Sequence, residues 1–224
     1  MMEYCGKNDL LKFIKEYRHK NKFINEKIIT GIVLQICSGI KTIHSKKIIH
    51  RDLKPGNILI NEKNIIKIGD FGLSREIGSN SFASSRCGTP YYMAPEIIRF
   101  EKYNKKADIY SLGCIIYELL TLHYYYNDIV IGHQKVQIDK NEYNTNWEDL
   151  INLLTKMDYN QRPNINEVIN YIYGNFYKSE IILKMQIDEK DINKNIFFLS
   201  ESNEYLKELH ENNTEIYING NKNV

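Results

Sequence analysis

The run Ile48-Ile49-His50-Arg51-Asp52-Leu53-Lys54-Pro55-Gly56-Asn57-Ile58-Leu59-Ile60 decides how the rest of the chain is read. Short β-favouring runs, Lys47–Ile49 and Ile58–Ile60, flank a turn-forming segment that holds a histidine, three formal charges and an amide. A further β-like run, Ile65–Ile68, leads to Asp70-Phe71-Gly72. Asn57 and Asp70 are thirteen residues apart, a separation that allows a β-hairpin between them and brings their side chains together. A third cluster follows at Gly88-Thr89-Pro90-Tyr91-Tyr92-Met93-Ala94-Pro95-Glu96.

On either side of this centre the apolar period is helical. Leu10, Leu11, Phe13, Ile14 and Tyr17 share one face of a helix over 9–20. Ile28, Ile32, Ile36, Ile40 and Ile29, Val33, Ile43 form two adjacent stripes on a long buried helix over 26–45, with Asn25 as its N-cap. Residues 70–105 show no sustained period and read as a long loop, and loops of that length are usually functional. Helices are predicted at 107–121, 147–157 and 165–173. Beyond Gly174 the texture becomes polar and Asn-rich, which predicts a domain over 1–174 and a separate small β-rich or disordered tail over 175–224.

Composition narrows the classes. The 224 residues carry a formal net charge of +2, which gives no reason to propose a nucleic-acid partner. The four cysteines, at 5, 37, 87 and 114, contain no C-x-x-C pair, so neither a zinc site nor a disulfide framework is expected. Reduced thiols in an intracellular, cytoplasmic protein are the reading. The longest apolar stretch, Ile109–Leu122, is too short for a bilayer span of roughly 20 residues, so no membrane partner is expected.

The three clusters, in this order and spacing, resemble the signature motifs of the eukaryotic protein kinases over residues 1 to about 173. The resemblance implies a mainly α fold with small β elements, the kinase C-terminal lobe, and transfer of the ATP γ-phosphate to Ser/Thr hydroxyls of protein substrates. By it, Asp52 accepts the proton of the substrate hydroxyl and Lys54 reaches the transferring phosphate. Lys54 at that position is similar to the serine/threonine class. Asn57 and Asp70 are implied as magnesium ligands, and oxygen donors completed by phosphates suit that ion. The segment Met2–Cys5, with Glu3 and Cys5, resembles the hinge that meets adenine through backbone groups. The resemblance places Leu59 on the adenine face. Asp9 resembles the ribose contact, with a helix cap as its other reading.

The resemblance also implies structural roles. His50 and Phe71 pack the catalytic loop onto the fold. Glu96 and Arg162 form a buried ion pair, and Asp108 binds the catalytic-loop backbone. Arg51 implies control by phosphate on the activation segment, with Ser79, Ser81, Ser84 and Ser85 as acceptors and Ser85 favoured. Thr89 is expected to position the substrate hydroxyl.

Ser81-Phe82-Ala83, Cys87–Met93 and Ala107–Cys114 resemble the NIMA-related subgroup. The segment His123-Tyr124-Tyr125-Tyr126 departs from the family's Pro-Phe there, and the next helix reads as shortened. No Gly-rich phosphate loop or strand lysine stands in the sequence, so a front lobe is expected upstream of Met1 and the chain is expected to have weak or no activity by itself. The rival reading is a non-catalytic kinase-like scaffold that binds partner proteins. Substrate and oligomeric state are not legible.

Overall fold

Helix α1, Leu10–Lys20, starts where the Asp9 side chain accepts the Lys12 amide at 2.8 Å. It ends at Asn21, whose φ of 47° is left-handed, a common way to close a helix. Leu10 and Ile14, one turn apart, are its buried contacts. These and all later observations come from a computed structural model, which describes residues 9–61, 64–73, 75–76 and 90–177. The tail beyond Tyr177 lies outside the described residues.

Helix α2, Glu26–Ser45, is capped by Asn25 through the Lys27 amide at 3.0 Å. Its isoleucine stripes face the core, except that Ile28, in the first turn, is 39% exposed. Among the described residues α2 alone is long and apolar enough to cross a membrane by composition. That apolar window is 72% buried within the fold, so its apolar character is accounted for by packing.

Two small antiparallel sheets follow. Strand β1, Ile48–Ile49, pairs with β4, Arg75–Glu76. Strand β2, Ile58–Ile60, pairs with β3, Ile66–Ile68, in the register Ile58 to Ile68 and Ile60 to Ile66. Gln35 of α2 accepts the Ile66 amide at 2.8 Å and so fixes the hairpin to the helical core.

The chain continues through α3, Pro95–Ile98, and α4, Lys106–Thr121. After a π-type turn at Tyr126–Ile131 come α5, Asn146–Leu154, and α6, Ile165–Ile172. Asn164 and Glu167 form a reciprocal capping box at the start of α6. Every residue of α4 from Ala107 to Leu120 is buried, so α4 is the central column of the lobe. Gly113 explains how α5 comes so close: a Cβ there would lie 2.7 Å from Thr155 Cγ2 and 3.0 Å from Leu154 Cβ. On the α2 side, Trp147 stacks on Phe176 at 4.1 Å and donates its indole N–H to Glu26 at 3.0 Å.

Two expectations need correction. The supposed loop over 70–105 contains a 3-10 turn at Phe71–Leu73, strand β4, a turn at Pro90–Tyr92 and helix α3. These elements are two to four residues long and too short to show a period. Helix α3 is signalled only by Pro95 at its first position. The helix expected over 147–157 ends at Leu154, because Asp158 caps a separate 3-10 turn at Tyr159–Gln161.

Candidate active site

The turn after β1 is built on one carboxylate. Asp108, in the first turn of α4, accepts the His50 amide at 3.0 Å and the Arg51 amide at 2.9 Å. Arg51 has a φ of 69°, the left-handed region, and so both amides meet the same side chain. His44 Nε2 donates to Asp108 Oδ2 at 2.8 Å, and Lys105 Nζ donates to the His44 carbonyl at 2.6 Å. Burial alone would raise the Asp108 pKa. The hydrogen bond from His44 and that from the Arg51 amide oppose it, and the carboxyl is held below its ordinary range.

His50 is fully buried and joins the turn to the hairpin. Its Nε2 donates to the Gly69 carbonyl at 2.9 Å, and its ring lies 4.9 Å from that of Phe71. Nδ1 is then the acceptor and faces the Asp52 amide at 3.4 Å.

Asp52, Lys54 and Asn57 come together on this platform. Lys54 Nζ donates to Asp52 Oδ2 at 2.7 Å. Asn57 Nδ2 donates to the same oxygen at 3.0 Å and to the Asp52 carbonyl at 2.8 Å. No described residue donates to Asp52 Oδ1. Asn57 ends a 3-10 turn opened by Pro55, and Gly69 donates its amide to the Asn57 carbonyl at 2.9 Å. That bond closes the hairpin and sets Asp70 beside the Asn57 end. Asp70 is exposed, with a φ of 57°, and one carboxylate oxygen faces the Gly72 amide at 3.3 Å.

The donor chemistry suits magnesium. Asn57 spends its amide N–H groups on Asp52, which leaves its oxygen for a cation, and Asp70 supplies an exposed carboxylate. Two oxygen ligands with space for phosphates and water are what this ion requires. Among the described residues no group of three or more His, Cys, Asp or Glu could hold a metal. Asp9 forms an antiparallel bridge with Leu59 while capping α1, so both stand at the hairpin. Glu3, Cys5, Ser79, Ser81, Ser84, Ser85 and Thr89 lie outside the described residues.

Glu96 and Arg162 meet in a two-pronged ion pair at 2.7 and 2.9 Å, both fully desolvated. Arg162 also donates to the carbonyls of Lys106 at 3.0 Å and Lys156 at 2.7 Å. Its guanidinium lies 5.0 Å from the Tyr110 ring centre. This pair fixes the start of α3, and with it the end of the segment that follows the Asp70 motif. The Arg51 side chain donates to the Tyr103 hydroxyl at 3.0 Å, while its buried Nε has no partner among the described residues.

Sequence reasoning missed His44 and the Arg18–Glu118 pair. His44 was findable: it continues the Ile36, Ile40 stripe by one turn and is thus a polar residue on an apolar face. Glu118 is a lone charge in an otherwise apolar helix run. Arg18 gives no signal, because its partner lies 100 residues away.

A helical lobe with an Asp–Lys–Asn cluster on one turn and an Asp at the end of the adjoining hairpin is the arrangement of a phosphate-transferring domain. The chain belongs to the protein kinase family: the protein kinase domain matches residues 1–173. Nek serine/threonine kinases are among its relatives. It is 36% identical over 190 residues to the probable serine/threonine-protein kinase nek2 of Dictyostelium discoideum, covering 80% of this chain and 46% of that protein. Identity to serine/threonine-protein kinase Nek9 of Mus musculus is 37% over 172 residues, 72% of this chain and 17% of the relative. For Nek5 of Homo sapiens the figures are 35% over 178 residues, 75% and 25%. The chain thus spans less than half the length of these relatives.

Two measurements test the packing of this site. Arg162→Met leaves Glu96 buried without a partner and is expected to cost roughly 3–5 kcal/mol in urea unfolding. Adding Glu96→Leu should recover part of that loss, and a double variant no better than the single one would contradict it. Asp108 ionises below its unfolded value of 3.8, so its stabilisation is complete above that pH and is lost as pH falls through the folded value. The stability gap between the native chain and Asp108→Asn should therefore narrow below pH 3.8, and a gap constant with pH would refute this.

Proposed function

We propose that this chain is a serine/threonine protein kinase, built to transfer the γ-phosphate of ATP to serine or threonine hydroxyls of protein substrates, with weak or no activity by itself. The observation that carries the reading is the convergence of Lys54 and Asn57 on one oxygen of Asp52, at 2.7 and 3.0 Å. Two donors on Oδ2 orient the carboxylate and leave Oδ1 to accept the substrate's hydroxyl proton. Lys54, an ammonium on a flexible stem, moves its charge from Asp52 to the phosphate oxygens as negative charge develops there. Asn57 and Asp70 would hold magnesium, which when bound neutralises phosphate charge and orients the γ-phosphate for attack. Glu3, Cys5 and Leu59 would line the adenine edge, with Asp9 near the ribose.

Control by phosphorylation belongs to this reading. Arg51 offers a buried Nε without a partner among the described residues, and a phosphate on Ser85 would supply acceptor oxygens and negative charge. Thr89 would position the acceptor hydroxyl. An intracellular, cytoplasmic setting is part of the reading, and the free Cys37 and Cys114 accord with it. The family match over residues 1–173 supports a kinase domain at 1–174, separate from the tail at 175–224.

The full chain with magnesium and radiolabelled ATP should label a serine-containing protein substrate only weakly, and strong labelling would overturn the expectation of weak activity. Asp52→Asn should lower transfer by roughly 100-fold or more with nucleotide affinity retained. Asp70→Asn should instead weaken magnesium-dependent nucleotide binding. Nucleotide binding without transfer by the native chain would favour the non-catalytic scaffold. In active protein, a mass-spectrometric map should find phosphate on Ser85, and active protein unmodified there would refute that assignment.

A further inference from the structure

The lobe and the tail carry opposite net charge. Residues 1–174 hold 24 Lys and Arg against 19 Asp and Glu, while 175–224 hold 6 against 9. On the lobe, cations collect where the last turn of α2 meets the segment before α4. Lys41, Lys46 and Lys47 are exposed there, and so is Lys102. Lys105 Nζ, bonded to the His44 carbonyl at 2.6 Å, ties the second segment to the first. None of these five lysines pairs with a carboxylate among the described residues. Glu101 is the one exposed acid in the two segments.

Helix physics explains only part of this cluster. The carbonyl end of α2 favours cations, which suits Lys46, Lys47 and the Lys105 bond. Lys41, a turn inside the helix, and Lys102 on the second segment add charge without such a use. Like charges gathered on one surface repel one another and attract an anionic partner. The patch also adjoins the turn before Asp52, because Tyr103, between Lys102 and Lys105, accepts the Arg51 side chain at 3.0 Å.

The tail supplies the complement. Glu201, Glu204, Glu208, Glu211 and Glu215 recur at intervals of three and four residues, the spacing of one helix face. The reach suffices as well. The chain leaves the lobe beside the start of α2, where Phe176 stacks on Trp147 and the Trp147 indole donates to Glu26. The lysines stand at the other end of this 20-residue helix, about 30 Å away. Residues 178–200 can span up to about 75 Å when extended. We infer that the glutamate stripe Glu201–Glu215 docks on the lysine patch of its own chain. The stripe orders as it binds, with its acidic face on the lysines. Its tether favours it over a separate acidic protein, since a linked segment acts at a high effective concentration. The docking goes beyond the phosphate-transfer reading and does not depend on it.

Zero-length carbodiimide cross-linking of the full chain, mapped by mass spectrometry, tests the docking. In dilute native protein at low salt, glutamates of 201–215 should join to Lys41, Lys46, Lys47 or Lys102. Hydrogen–deuterium exchange should show protection over 201–215. That protection should be lost in 1 M salt, where the screening length falls to about 3 Å from roughly 10 Å at 0.1 M. Lys46→Glu with Lys47→Glu should abolish both signals, and adding Glu204→Lys with Glu208→Lys should restore the protection. Lys15→Ala, Lys20→Ala and Lys22→Ala, on and just after α1, should change neither. The native cross-links and the salt response decide the matter if the reversed variant does not fold. Links from the stripe to the α1 lysines, or protection that survives the charge reversal, overturn the patch. Links between labelled and unlabelled chains in an isotopic mixture assign the stripe to a second copy and overturn docking within the chain. Absence of both links and protection overturns the docking outright, whatever the activity of the chain.

Discussion

The Asp108 carboxylate is the contact from which the rest of the site is built. It is buried at the start of α4 and takes three donors, the amides of His50 and Arg51 and the imidazole of His44. A buried carboxylate is costly unless its lone pairs are used, so this group forces the backbone around it into one conformation. The forced conformation includes the left-handed Arg51, and it fixes where the chain stands as it reaches Asp52. His50 passes the constraint on to Gly69 and hence to the hairpin that carries Asn57 and Asp70 at its ends. Removing Asp108 would loosen groups that it never touches.

Helix α4 extends this logic along its length. Asp108 holds the turn before Asp52, Ser111 holds the carbonyl of Tyr92, and Glu118 holds the Tyr92 hydroxyl. Positions 108 and 111 are three apart and share a face, while Glu118 lies two turns further on. One rigid helix thereby sets the relative positions of the carboxylate turn and the Pro90–Tyr92 turn. Its complete burial, and the close approach of α5 at Gly113, keep it from shifting.

Much of this was legible in the sequence, and the limits have physical causes. The helices over 26–45 and 165–172 and the β2–β3 hairpin announce themselves because each repeats one apolar period or is bounded by turn residues. The nearness of Asn57 and Asp70 follows from the β2–β3 pairing, which their separation of thirteen residues allows. Helix α3 and strand β4 were hidden because four and two residues cannot display a period. The contacts of Asp108 with His44 and of Arg18 with Glu118 span 64 and 100 residues, and a side chain's partner at that range is a property of the assembled core. His44 shows the middle case: its place on an apolar stripe was readable, its partner was not.

The left-handed backbone at Arg51 and Asp70 has an evolutionary consequence. Arginine in that region costs about 1–2 kcal/mol, and aspartate less, whereas glycine pays no such steric penalty. A library of this chain selected for heat tolerance alone would feel that strain as a defect and drift toward glycine at both positions. It would accumulate sturdier variants stripped of the guanidinium and the carboxylate, and only a selection that also demands chemistry would keep them.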